Sequence, residues 1–240
     1  MNSDILIPTI EQIAALTKRD HQVSEIKDLQ IAHELSADIH QDRKRASGES
    51  YVEHDRVVSW HLATIGFDSM TTLAGLVHDV LLEEFYDSDR NYARLRQIMG
   101  DGVSELVHGV NRLMPYTKLL GKKDDPVQLE KLRRAILNSI DDDIRVLVIR
   151  VADNLTDLKF ANRLPDPDMK KVVAREAAEI YAPIANRLGM WHMKWQLEDL
   201  SFRYLNPDTY KYLATQIAEK KQERDARIEQ RIAESQKGDV

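Results

Sequence analysis

The 240-residue chain has no cysteine, which excludes disulfides, thiolate metal sites and cysteine nucleophiles. Its nine glycines and seven prolines are few enough to leave room for long helices. Nowhere do eighteen apolar residues run together, so no membrane span is expected. The opening MNSDILIPTIEQ lacks a basic n-region and a long apolar core, so no secretory signal is expected either. With the missing cysteines, this points to the cytoplasm. GxGxxG, GxxxxGK[ST] and GxSxG motifs are absent. There is no internal repeat and no sustained strand alternation, so the predicted fold class is all-α.

A formal charge of −6 argues against bulk nucleic-acid binding. Hydrophobic content of 42% with 31% charged residues suits one large globular domain, or one and a half. The periodicity predicts helices over 10–18 (capped by Thr9), from Ser24 to about 39, and over 54–65 up to Gly66. Asp68 caps the next. Short helices over 92–99 and 103–113 are divided by GDG, and 114–126 is expected to be a mobile loop. Helices follow over 127–139 and 144–160, the second apolar nearly all round before Asp153 and therefore central. Pro183 should kink or end the helix that reaches it. Beyond Pro207 a long helix, almost wholly polar after Ala218, reads as an exposed connector. The expected division is a catalytic domain over 1–190 and a connector over 191–240.

The chain is organised around 72–84, TLAGLVHDVLLEE, predicted to be a buried helix. Leu73, Leu76, Val77, Val80 and Leu81 supply its core face, and His78 and Asp79 interrupt it. An imidazole and a carboxylate are costly to bury without partners. His54 and Asp153 are similar polar intrusions on two other helices. Two imidazoles and two carboxylates suit Mn²⁺, Fe²⁺ or Zn²⁺ better than Mg²⁺ or Ca²⁺. Arg43, Lys44 and Arg45 form a basic corner that could hold an anionic ligand. His33, His40, His61, His108 and His192 have no carboxylate at a telling spacing and are assigned no function. Trp60, Trp191 and Trp195 are read as packing residues, and Asp87 and Asp89 as a solvated turn.

Four segments carry a resemblance: SGESYVEH (47–54), LVHDVLLEE (76–84), DIRVLVIRVADNL (143–155) and EIYAPIANRLGMWHMKWQLEDLSFRYLNPDTY (179–210). Together they resemble the N-terminal HD-superfamily hydrolase domain of RelA/SpoT-type alarmone enzymes, collinearly from about His33 to Tyr212. The resemblance implies a helical HD bundle holding one Mn²⁺ ion on His54, His78, Asp79 and Asp153. It also implies removal of the 3′-pyrophosphate from guanosine tetra- and pentaphosphate. Family members carry an Arg nine residues before the first ligand, here Arg45, which is taken to contact the nucleotide, with Lys44 or Arg43 nearby. Arg45→Ala is expected to weaken nucleotide binding while leaving metal content unchanged. The last segment is similar to the long two-activity members, so a synthetase domain is expected after Val240.

Three positions depart from the family pattern. Its Glu and Asp, four and five residues after the His of the pair, are Leu82 and Glu83 here, and its Asn four residues after the last ligand is Asp157. The expected catalytic residues are therefore Glu83, Glu84 and Asp157, with slow hydrolysis depending more on Glu83, one helical turn after Asp79. The alternative is a metal-holding domain, weakened in catalysis, that regulates an adjoining synthetase.

Overall fold

Several helix starts along this chain are set by side chains that take up the free N–H groups of a first turn. The structure is a computed structural model describing residues 5–17, 26–82, 88–120, 134, 136 and 143–237. Helix α1 (Ile10–Thr17) begins at Thr9, whose hydroxyl accepts from the Gln12 amide at 3.3 Å. After α2 (Ile26–His40), α3 (Tyr51–Ile65) opens on a reciprocal cap. Ser50 Oγ accepts from the Glu53 amide at 3.1 Å, and Glu53 Oε2 accepts from the Ser50 amide at 2.8 Å. Ser50→Ala is expected to lower stability by about 0.5–2 kcal/mol, read as a lower denaturation midpoint at unchanged slope. Gly66, at φ 90°, closes α3 in the left-handed conformation that favours glycine.

Asp68 caps α4 (Ser69–Leu76) as its sequence position predicts, accepting from the Thr71 amide at 2.8 Å. The predicted helix over 72–84 stops eight residues early. Val77 leaves helical geometry at φ −130°, and three-residue turns replace the helical ladder. The amides of Val77, Val80 and Leu82 donate to the carbonyls of Ala74, Val77 and Asp79. The apolar side chains of this turn are as buried as those of a helix, from Val77 at 0% exposure to Leu82 at 5%.

Helix α5 (Ser88–Leu120) is broken at Gly100, whose φ of 80° and ψ of 175° no helix contains. That is where the sequence divides two helices, but the second continues through 114–120 in place of the predicted loop. The remainder of that loop and nearly all of the predicted helix over 127–139 lie outside the described residues. Helix α6 (Ile144–Phe160) has the predicted bounds, and every residue from Val146 to Thr156 is buried. It is the axis of the fold, packed against α3, α4, α5 and α9.

The chain then runs through α7 (Pro167–Glu176), a widened turn at Ala177–Tyr181, α8 (Ala182–Arg187), α9 (Trp191–Leu205) and α10 (Pro207–Lys237). Pro183 has no N–H to donate, and the turn before it opens so that the Ala182 amide reaches the Ala177 carbonyl. Among the described residues there is no strand, only an isolated bridge between Lys44 and Ser50. No described helix is long and apolar enough to cross a membrane. Trp60 is half-buried against the core, but Trp191 and Trp195 are 60% and 70% exposed, so the packing expectation fails for both.

Candidate metal centre

Close approach of α3 and α4 builds the centre. A Cβ on Gly75 would lie 2.6 Å from Leu62 Cδ1 and 3.3 Å from Ser59 Cα, so any larger residue would have to displace the Leu62 side chain and press on the α3 backbone where α4 crosses it. His54 stands in the first turn of α3, and Asp153 projects from the middle of α6. His78 and Asp79 follow the end of α4. There His78 Nδ1 lies 2.9 Å from the Gly75 carbonyl, one of the oxygens that the terminated helix leaves without a partner. In the neutral ring that a metal would hold, a proton on Nδ1 makes that hydrogen bond and leaves Nε2 as the free lone pair, the usual device for orienting a metal-ligating imidazole.

The four side chains sequence reasoning brought together do converge. His54 Nε2 is 2.9 Å from Asp153 Oδ1, and His78 Nε2 is 3.3 Å from Asp79 Oδ1 and 3.5 Å from Asp153 Oδ1. The two imidazole centroids are 5.5 Å apart. Ligand atoms of His54, His78 and Asp79 lie within 4.8 Å of one another, as do those of His54, Asp153 and Asp157. All but Asp157 are buried.

Two observations fit a divalent cation here. Buried His54 Nδ1, His78 Nε2 and Asp79 Oδ1 make no hydrogen bond, an arrangement that costs free energy unless something else is bound. The local field is also strongly negative. Burial by itself would lower the His78 pKa, yet the carboxylates of Asp79, Asp153 and Asp55 outweigh it and push it up to about 10. Burial raises Asp153, but Arg150, His78 and the His54 hydrogen bond prevail and hold it well below the usual carboxylate range. The donor set is nitrogen and oxygen, as expected for a transition metal.

Arg45 reaches the centre, but as an ion-pair partner of its ligands. Nη1 donates to Asp79 Oδ2 at 2.6 Å and Nη2 to Asp157 Oδ1 at 2.7 Å, while Lys44 is exposed and Arg43 half-buried on the same corner. Asp157 is raised by burial, with Arg45 opposing and Asp153 and Asp79 reinforcing. Glu83 and Glu84 lie outside the described residues. The helical register that singled out Glu83 does not survive the end of α4 at Leu76.

Sequence reasoning missed a supporting layer. Asp55, 1% exposed, accepts from Ser36 Oγ at 2.6 Å and places Oδ1 3.3 Å from His78 Nδ1. Arg150 is paired with Asp153 and donates to the Tyr181 hydroxyl at 3.0 Å. Arg150 was visible as a charge inside the apolar run VLVIRVAD, whereas Asp55, between His54 and Arg56 in the polar stretch EHDR, carries no such signal.

The protein-family model described as "HD domain" matches residues 32–191, and the chain belongs to that family in its RelA/SpoT-type form. It is 37% identical over 192 residues to a probable guanosine-3′,5′-bis(diphosphate) 3′-pyrophosphohydrolase of Synechocystis sp., covering 80% of this chain and 24% of that protein. Over 189 residues it is 36% identical to the bifunctional (p)ppGpp synthase/hydrolase SpoT of Escherichia coli K12, covering 79% and 26%. A GTP pyrophosphokinase of Streptomyces coelicolor is 34% identical over 221 residues, covering 91% and 25%. The chain thus spans about a quarter of the length of these curated relatives.

Proposed function

We propose that this chain hydrolyses the 3′-pyrophosphate of guanosine tetra- and pentaphosphate with one Mn²⁺ ion held by His54, His78, Asp79 and Asp153. The observation that carries this reading is the buried meeting of those side chains with ligand atoms left unbonded. Relatives named as guanosine-3′,5′-bis(diphosphate) 3′-pyrophosphohydrolases supply the substrate class. When bound, the ion would polarise a phosphoryl oxygen and lower the pKa of water.

The chain's own residues do the rest. Asp55 and the Gly75 carbonyl hold the His78 ring, and Arg150 holds the Asp153 carboxylate. Arg45, with Lys44 and Arg43 beside it, offsets the charge of the phosphates. Asp157, on the half-buried side of the centre and with its pKa raised by burial against the opposing charge of Arg45, is a candidate to take up a proton. Glu83 and Glu84 are proposed for the same work. Residues 1–190 form the hydrolase domain in this reading, and 191–240 a connector toward a synthetase domain in a longer cytoplasmic protein.

A second reading, a metal-holding domain that regulates a synthetase, draws on Leu82. It is buried and apolar at a position where the family pattern has a carboxylate. One assay separates the two. Purified protein with Mn²⁺ and ppGpp should release GDP and pyrophosphate, and no metal-dependent release would favour regulation.

A further inference from the structure

The three tryptophans of the chain, Trp60, Trp191 and Trp195, all line one cavity of about 1140 Å³ between α3, the end of α6 and α9. It is not the metal centre. His61, on its wall, stands seven residues beyond His54 on α3, about 10 Å along the helix. Lys159 stands six residues beyond Asp153 on α6, about 9 Å. Two of the helices that contribute to the centre, α3 and α6, therefore also build this second cavity further along their length. Common small-ligand pockets span roughly 300–1,000 Å³, so a ligand of nucleotide size fits.

The cavity's lining carries more positive than negative charge. Three cations line it: Lys159, Arg163 and Arg203. Lys159 is half-buried, and its Nζ donates to the imidazole of His61 at 3.1 Å. Arg163 lies over the Phe160 ring at 5.0 Å, and Arg203 over the Tyr210 ring at 5.9 Å. Among the described residues, none of the three has a carboxylate in ion-pair contact. The one carboxylate on the wall, Asp199, accepts a hydrogen bond from the Tyr210 hydroxyl at 3.4 Å. Beside these cations, Trp191 and Trp195 are 60% and 70% exposed, with the Lys194 ammonium 5.9 Å from the Trp191 ring centroid and Trp195 the more open of the two. A half-buried ammonium without a counterion and two unpacked indoles are each unfavourable alone. Together they suit a ligand with a flat aromatic ring and a multivalent anion.

We propose that this cavity binds a nucleoside phosphate at a site separate from the metal centre, with the base on Trp191 or Trp195 and the phosphates on Lys159, Arg163 and Arg203. Indole stacking tolerates any base, and guanidinium and ammonium groups recognise phosphate oxygens. The proposal is independent of the hydrolase reading, because the site needs neither the ion nor Arg45.

All three fluorophores sit on the wall, so the test is tryptophan emission from the whole chain in chelator, titrated with GTP and in parallel with ATP. Saturable quenching by at least one nucleotide is expected, and its midpoint should be unchanged in Arg45→Ala. Lys159→Gln should weaken it about ten- to a hundredfold, the loss of one charged hydrogen bond. Trp195→Ala should weaken binding about five- to a hundredfold, which calorimetry reads without the fluorophore. Arg203→Gln, at an exposed position of α9, gives the same readout should Lys159→Gln fail to fold. Quenching by neither nucleotide overturns the proposal, as does an unchanged midpoint in both cation variants. Loss of quenching in Arg45→Ala would move the nucleotide to the metal centre and also overturn it. Inorganic tripolyphosphate binding as tightly as GTP or ATP would leave an anion site without base recognition, and the proposal fails.

Discussion

His78→Ala is expected to empty the metal centre while leaving the helices in place. Elemental analysis after manganese loading should fall from about one equivalent to near background, on the single-ion geometry proposed. Hydrolysis of ppGpp should fall by about a thousandfold or more, since a catalytic ion supplies several kcal/mol of charge stabilisation. Asp153→Ala should differ. It removes a metal ligand and also the carboxylate paired with buried Arg150. Breaking a buried pair costs about 3–5 kcal/mol, so this variant should lose denaturant stability even in chelator. If both variants retain metal as wild type does, the ligand set is wrong.

Arg45→Ala carries the second large effect, with a signature that sequence reasoning did not reach. From sequence, the residue was expected only to hold the nucleotide, so that metal content would stay unchanged. In the structure its guanidinium bridges Asp79 and Asp157. Without metal it acts as counterion to two carboxylates, and its own pKa is raised by their charge against the opposing effect of burial. Removing it should destabilise the chelated protein by about 3 kcal/mol, the lower end for a buried pair because Asp157 is a third exposed. Mn²⁺ should restore most of that loss, because the ion replaces the missing positive charge and no longer competes with Arg45 for Asp79. Metal affinity should therefore hold or tighten while ppGpp affinity falls about ten- to a hundredfold. Melting curves with and without Mn²⁺, beside calorimetry with the nucleotide, check both halves. Equal destabilisation with and without metal would mean that the ion does not reach Asp79.

How far the sequence discloses this molecule depends on the kind of signal. Helix α6 is legible to its bounds because Asp143 caps it and its apolar residues run all round. Of the proposed metal ligands, His78, Asp79 and Asp153 stand out as polar groups inside apolar runs, while His54, in the polar stretch EHDR, is singled out chiefly by the family resemblance. The end of α4 is not. VLL after the His-Asp pair carries no glycine or proline, and the core buries it equally as turn or as helix. Hydrophobic pattern reports burial, while the local ladder is decided by His78 taking the Gly75 carbonyl. The helix through 114–120 was hidden by Pro115, which costs a helix one hydrogen bond without ending it here. Pairings across long separations, such as Arg45 to Asp79 and to Asp157, leave no periodic trace at all. Nor do the unpacked indoles of Trp191 and Trp195, since a tryptophan's exposure is set by what the fold leaves opposite it.

The last helix has a mechanical consequence. At 1.5 Å per residue the 31 residues of α10 make a rod of about 46 Å. Its base meets α9 at Asn206, whose φ of −131° and ψ of 60° break the helical path. Such a rod on a one-residue joint is a lever. A swing of about 10° at Asn206 carries the far end through about 8 Å, while atoms at the joint move less than a bond length. Arg203 and Tyr204, just ahead of that joint, are also walls of the tryptophan cavity. A ligand lodged against them would bear on the fulcrum, and a small displacement there would arrive at the tip many times enlarged.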